Sequence, residues 1–473
     1  MVYDIPQRLS DVVNQKIMKG VVTTYVLVFG AIFSLILAST LGFILLQFKQ
    51  SSQKVAWAES LHIAEAGLNH YRWCLNNEVG DNCALNKEYT DAEGNLIGEF
   101  SLEISSQTQC GQTTWREITS TGWTTDFPEV DRKLKAAYAR ESVANYAYLL
   151  NDNVWAGADR EVRGLYHSNG GIRMDGENQS LVTSAKETWI CTESFGCSPP
   201  EEKQGVFTTT DNSNPDLFEF PVTSFDFAGI TVDLAEIKSL TEPYPEQYYW
   251  PPVTEIDPEG KGYHVVFNQD GSFDVWIITA LQATLAYSLE EGWHYDYFEI
   301  KEEYRYKGPI SIDPNCSLIF FEDNLWPEGK IKGKVTVASA DLIASTEDTD
   351  IILSDNINYT TLEGTDGLGL IAERNILIGP DSPDKMELRG IFIAQKGHFG
   401  RNHYLDNIKE SLEINGSIVS NGRVGTKWTS GGQVISGYLK RENYIDTNLI
   451  YNPPAFVPRT TSDFKLIGWE EIE

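Results

Sequence analysis

The chain is expected to be an α+β protein, mostly β. A long N-terminal transmembrane helix comes first, a small antiparallel sheet follows it, and a β-rich body including a β-solenoid makes up the rest. Three observations lead there. Residues 21–48 form one uncharged apolar run, VVTTYVLVFGAIFSLILASTLGFILLQF. A stripe of apolar residues at helical spacing follows it. Beyond about residue 96 the chain breaks into short apolar-alternating segments closed by Gly, Asn or Asp.

At about 1.5 Å per residue the apolar run makes a helix of roughly 40 Å, more than a ~30 Å hydrocarbon core requires. A cleaved secretory signal has an apolar core of only ~7–15 residues and fits poorly. Gly30, Ser34, Ala38 and Gly42 recur every fourth residue, so small side chains line one side of the helix and allow another helix to approach closely. The helix continues past the run. Trp57, Leu61, Ala64, Leu68, Tyr71 and Leu75 alternate spacings of four and three and form one stripe, which can pack on the chain's own sheet or on neighbouring subunits.

Short strands come next. Phe100, Leu102 and Ile104 share a face, Trp115–Ile118 lies in a second strand ending at Gly122, and Val130–Tyr138 makes a third with Leu134 and Ala136 inward. Residues 205–240 read as a connector ending in a short helix. Residues 262–279 read as a hairpin turning at Asp270-Gly271. Residues 309–425 look like stacked short parallel strands, with ILSDNINYT, GLGLIAERNILIG, MELRGIFIAQKGHFG and LEINGSIVSNGRVG as successive units; a β-sandwich is the alternative.

The net charge is −31, with 68 Asp+Glu against 37 Lys+Arg, a surface that repels phosphate backbones and excludes nucleic acid as the main partner. All six cysteines follow the apolar run. Cys74 and Cys83 bracket a short polar loop, Cys191 and Cys197 bracket TESFG, and Cys110 and Cys316 are left over; the pairing stays open. Cysteines at such spacings in an acidic body point to disulfides formed outside the cytoplasm, which places the N-terminus inside and the body outside. No CxxC, Cys/His cluster, phosphate-binding glycine loop or nucleophile elbow stands in the chain, so no metal, cofactor or enzymatic reaction is expected. His167-Ser168 brings an imidazole beside a hydroxyl, but neighbours on a strand point to opposite faces, and GLYHSNGG reads as a turn. Aromatics gather at Tyr248, Tyr249 and Trp250 and again at Trp293, Tyr295 and Tyr297. Exposed, such rings would stack on a surface glycan or anchor a protein ligand.

Lys19-Gly20 ahead of the apolar run, with AWAESLHIAEAGLNHY at 56–71 behind it, resembles the N-terminal region of type IV pilins and pseudopilins, the PilX-type minor pilins above all. The resemblance covers about residues 15–140. It implies cleavage by a prepilin peptidase after Gly20, a mature N-terminus at Val21, and packing of the helix among other pilins or pseudopilins in a fibre core. Tyr25 stands where major pilins carry a Glu that neutralises a neighbour's amine, which implies a tip or priming position. Val21 stands where Phe or Met is usual. GLYHSNGG and WPEGKIKGKVTVASADLI look like segments of large surface proteins with a pilin-like stem and a β-rich body.

The organisation so expected is a cytoplasmic prepilin-like leader at 1–20, the transmembrane helix at 21–48, and a pilin-like helix and small sheet at 49–140. A β-rich middle region at 141–308, a β-solenoid-like region at 309–440 and a tail with a closing strand at 441–473 follow. The expected function is that of a structural minor-pilin-like subunit displaying an adhesive or interacting body. A permanently anchored single-pass surface protein and a polysaccharide-active enzyme on a β-solenoid are the alternatives.

Overall fold

The computed structural model describes residues 7–77, 82–229, 231–343 and 348–472, with the backbone alone at 7–20 and 114. Residues 1–6 of the expected leader lie outside the described residues. The chain forms two compact units. The first contains Met1–Ile104, Ile118–Ala136 and Trp469–Glu473; the second contains Ser105–Glu117 and Ala137–Gly468.

One unbroken helix, Gln7–Asn76, leads into the first unit. A five-stranded sheet follows in the order Asn86–Thr90, Leu96–Gln109, Gln112–Thr124, Arg132–Ala139 and Lys465–Ile472. The first two strands pair antiparallel. Leu134 and Ala136 are buried as their alternation predicts. The helix buries Ala56, Ser60, Ile63, Ala64, Leu68 and Tyr71.

That face is rotated from the expected stripe. Trp57 is 53% exposed, and Leu61 and Leu75 are only half-buried. The reason is closeness. A Cβ on Gly122 would lie 2.4 Å from the Ala64 nitrogen, and one on Gly67 would lie 2.3 Å from the Ser120 hydroxyl. Small residues bring helix and sheet together, and a large Trp at the centre would hold them apart. Ser60 fits because its hydroxyl lies 2.8 Å from the carbonyl of Ala56 and 2.6 Å from that of Val130. Trp57 instead takes the Arg132 guanidinium over its ring at 3.6 Å.

The second unit is built on parallel ladders. In the first, Tyr249–Trp250, Leu318–Phe321, Lys334–Ser339, Gly367–Ala372 and the C-terminal halves of Lys385–Ala394 and Ile408–Ser420 pair in turn. The ladder then continues with residues from far earlier in the chain: Tyr146–Leu150, Leu165–Ser168, Val182–Ser184 and Phe218–Glu219. The chain thus starts in the middle of the stack, runs to one end, crosses to the other and returns beside its starting strand. Strands from either side of residue 308 share this sheet.

A second ladder runs Tyr263–Asn268, Leu325–Ile331, Ile351–Leu353, Ile376–Ile378 and Phe399–Gly400. A third joins Ile357–Tyr359, the N-terminal halves of Lys385–Ala394 and Ile408–Ser420, then Gln433–Tyr444, Arg160–Arg163 and Glu177–Asn178.

Register places like on like. Ile319, Val337, Leu370, Phe392, Ile418, Tyr148, Tyr166 and Val182 are successive neighbours in the first ladder, and none is more than 1% exposed. Each aliphatic or phenylalanine side chain in that column contributes about 1.5–3 kcal/mol of burial. The adjacent column, Phe320, Ala338, Ile371, Ile393, Val419 and Leu149, is covered by Val232, Ile237, Leu449 and Ala455–Val457. Both faces are dry, which explains apolar runs such as LIFF and IFIA in place of strict alternation. Where the column reaches a corner it turns to serine. Ser339, Ser420, Ser168 and Ser184 donate to the carbonyls of Asp323, Gly422, Asp152 and Gly170 at 2.6–2.9 Å, satisfying groups that the bend leaves unpaired.

Excursions leave this stack. The expected hairpin forms with Asn268 opposite Ser272, and Gly271 takes φ +89° at its turn. Its second strand, Ser272–Ser288, then pairs with Gly292–Ser311 as a long two-stranded arm. The terminal strand expected at 464–472 is Lys465–Ile472.

Candidate functional site

The N-terminal half of the helix is the largest uncovered apolar surface. Val21–Asn76 is long and apolar enough to cross a membrane, and its most apolar window is 0% buried. Leu27, Phe29, Phe33, Leu35 and Leu45 are each at least 65% exposed. The Gly30, Ser34, Ala38 and Gly42 column is bare: a Cβ on Gly30 or Gly42 would meet nothing within 4 Å. Gly20 is helical, and Val21 is 47% exposed.

The aromatics divide. Trp250 is 0% exposed and stacks on Phe321 with ring centroids 5.8 Å apart, so it cannot offer a face to a ligand. It sits in the first ladder opposite Phe321, where a large ring fills the core. Tyr249 is half-buried; its hydroxyl bonds Glu322, and its ring lies along Phe320. Burial, followed by Glu322, pushes that hydroxyl's pKa upward. Trp293, Tyr295 and Tyr297 are exposed by 55%, 60% and 55% on one side of the arm strand. The difference is one of position: Tyr249 and Trp250 are rungs of the first ladder, whereas the arm lies along the stack, with Ala286 and Tyr287 paired to Tyr404 and His403.

The six cysteines pair as Cys74–Cys83, Cys110–Cys316 and Cys191–Cys197. Cys110 and Gly111 form the turn between Leu96–Gln109 and Gln112–Thr124, both with positive φ. That turn is tied to Cys316, just ahead of Leu318–Phe321. A Cys/His group does arise. His70 Nε2 lies 3.8 Å from both Cys74 and Cys83 sulfurs, because positions 70 and 74 are one helical turn apart. With the sulfurs bonded to each other, neither thiolate is available to a metal.

His167 and Ser168 lie on the strand Leu165–Ser168, and the corner follows at 169–171. The imidazole meets Thr183 at 2.8 Å and Asn169 at 3.1 Å, while the Ser168 hydroxyl donates to Asp152. Burial lowers the His167 pKa. The two side chains take different partners, as opposite strand faces require.

No protein-family model matches the chain, and no curated protein matches it. Among solved structures, the competence-associated pilin ComZ from Thermus thermophilus aligns over 88% of this chain and 97% of its own, with 12% identity and a TM-score of 0.29. That score is too low to indicate a shared fold.

Two features escaped the sequence reading. The close helix–sheet packing was signalled by Ala56, Ser60, Ala64 and Gly67, a second run of small residues at helical spacing. The other is a cavity in the second unit whose lining comes from distant segments and leaves no local pattern.

Proposed function

We propose that the chain is a membrane-anchored, pilin-like structural subunit that enters a type IV pilus or pseudopilus through its N-terminal helix and displays the β-rich unit as an adhesion or interaction module. One observation carries the reading. A single helix is apolar and uncovered over residues 21–48, yet packs closely on its own sheet from Ala56 onward. So much bare apolar surface requires lipid or other helices around it. The Gly30, Ser34, Ala38 and Gly42 column suits a second helix better than lipid, because small residues let backbones approach. The parallel ladders of the second unit fit a β-solenoid, a rigid body for display. Prepilin cleavage after Gly20, a PilX-like tip position and export of the disulfide-bonded unit belong to the same reading.

Mass spectrometry of envelope material tests the processing step. A mature start at Val21 is expected; a start at Met1 would leave a permanent anchor. Assembly has its own test. Ser34→Leu with Ala38→Leu is expected to abolish incorporation into sheared fibres while the second unit keeps its disulfides and near-UV spectrum. Wild-type incorporation of that variant would rule out the packing face.

A further inference from the structure

A cavity of about 250 Å³ opens on the second unit where four segments meet. Trp155 comes from the early rungs, Ser194 from the Cys191–Cys197 loop, Leu289 and Glu290 from the arm tip, and His398–Trp428 from the late rungs. Its lining carries both signs of charge: Arg401, Arg423 and Lys427 stand with the carboxylates of Glu193 and Glu290, and burial lowers the pKa of His398 beside them.

These cations are not equally committed. Lys427 is paired with Asp159. Arg401 is 2% exposed; it donates to the Ser436 hydroxyl at 3.1 Å and to the Asn407 amide oxygen at 2.6 Å, and its Nε has no partner. Arg423 donates to the Ser194 carbonyl at 2.8 Å and lies over the Phe195 ring at 4.3 Å. Among the described residues neither arginine has a carboxylate within salt-bridge distance. Asp152 and Glu290 act on Arg423 only from further off, and burial lowers the pKa of both guanidinium groups. The Arg401 guanidinium is turned to Ser436, Asn407 and the Tyr404 and Tyr438 rings, none of which lines the cavity, so the desolvated Arg423 guanidinium, bonded to a neutral acceptor, is the group that an anion there completes.

The walls add a second element. The Trp428 indole donates to the Arg401 carbonyl at 2.8 Å and meets Tyr287 edge-on at 5.6 Å. The Trp155 indole donates to Asp175 at 2.8 Å, with Arg173 over its ring at 4.2 Å. Both aromatics are held in place before any ligand arrives, which lowers the ordering cost of binding. Flat aromatic walls beside a guanidinium group match a ligand with a ring, an apolar C–H face and one negative charge. A small inorganic anion would use only the cations.

We propose that this cavity binds a carboxylate-bearing sugar, a hexuronate unit of an acidic polysaccharide, with Arg423 toward the carboxylate and Trp428 beside the ring. The proposal deepens the display reading by naming what the displayed unit holds. Its assay needs neither leader cleavage nor fibre assembly, so it can fail or succeed independently of them.

Full-length protein in detergent micelles is titrated calorimetrically with trigalacturonate, with the neutral galactose trimer and with inorganic phosphate. Saturable binding of trigalacturonate is expected, with the neutral trimer at least about tenfold weaker and affinity falling as salt rises. Arg423→Gln keeps a donor for the Ser194 carbonyl and removes the charge; it should weaken trigalacturonate about tenfold or more. Tyr297→Ala, on the exposed arm, should leave binding unchanged. Absent binding, equal binding of the neutral trimer, or phosphate binding as tightly as the uronate would each overturn the proposal. So would unchanged affinity in Arg423→Gln. Should that variant misfold, Trp428→Leu offers a second route: the uronate should weaken while phosphate does not.

Discussion

Replacing Gly416 by alanine is expected to destabilise the second unit by on the order of 3 kcal/mol or more. Gly416 is paired in register with Gly390 at the corner where the third ladder passes into the first. Its φ is +148° and that of Gly390 is +150°, a region that side chains avoid. A Cβ on Gly416 would fall 1.7 Å from the Gly390 carbonyl oxygen. The obstacle is backbone, held by ladder hydrogen bonds on either side, so the overlap is relieved only by parting two rungs. Thermal unfolding of the full chain in detergent should show a midpoint lower by roughly 5 °C or more. Gly425→Ala is the control, because a Cβ there meets nothing within 4 Å. Equal midpoints for the two variants would mean that the corner does not form as described.

Asp159→Asn is expected to cost about 3–5 kcal/mol, the penalty for breaking a buried pair from one side. Asp159 accepts from Arg441 Nε at 2.8 Å and Nη2 at 2.9 Å, and it also pairs with Lys427. Arg160, in register with Arg441, is 2% exposed, with Nε and Nη1 unpartnered. One carboxylate therefore stands against three cations. Neutralising it leaves Arg441 and Lys427 desolvated with no counter-charge. Adding Arg441→Met to Asp159→Asn should recover part of the loss, whereas independent sites would simply add.

The same carboxylate sets an acid limit. Burial raises its pKa, but Arg441 and then Lys427 outweigh that and hold it at about 2, against an ordinary value of 3.8. A lowered folded pKa contributes stability that is complete above the unfolded value and is lost as pH falls from 3.8 toward 2, about 2–3 kcal/mol in all. Unfolding midpoints of the wild type should therefore fall more steeply through that window than those of Asp159→Asn. Parallel curves would show that the pair is not formed.

Much of the local structure was legible. The apolar run, the helix behind it, the Asp270-Gly271 hairpin and the inward Leu134 and Ala136 all rest on periodicity, a property of neighbouring residues. The ligand role of Trp250 was misread for an equally physical reason. An aromatic pair beside prolines looks the same whether it faces water or the Phe321 ring across a parallel ladder. Of the helix stripe, Ala64, Leu68 and Tyr71 face the sheet while Trp57 does not, although hydrophobicity ranks Trp57 above Ser60. The sheet ranks them the other way, since Gly67 and Gly122 leave no room for a large side chain between the two layers.

By itself, then, the sequence determined where the chain is apolar enough for a bilayer, which segments are helix or strand, and that its surface is acidic. The tertiary structure alone decided that Ile408–Ser420 lies beside Tyr146–Leu150, that Cys110 meets Cys316, and that Arg401 and Arg423 share a cavity with Trp155 and Trp428. Alternation and helical spacing are encoded within a few residues. A parallel ladder takes its partner from anywhere in the chain, and only the packed stack selects which strand completes the next rung.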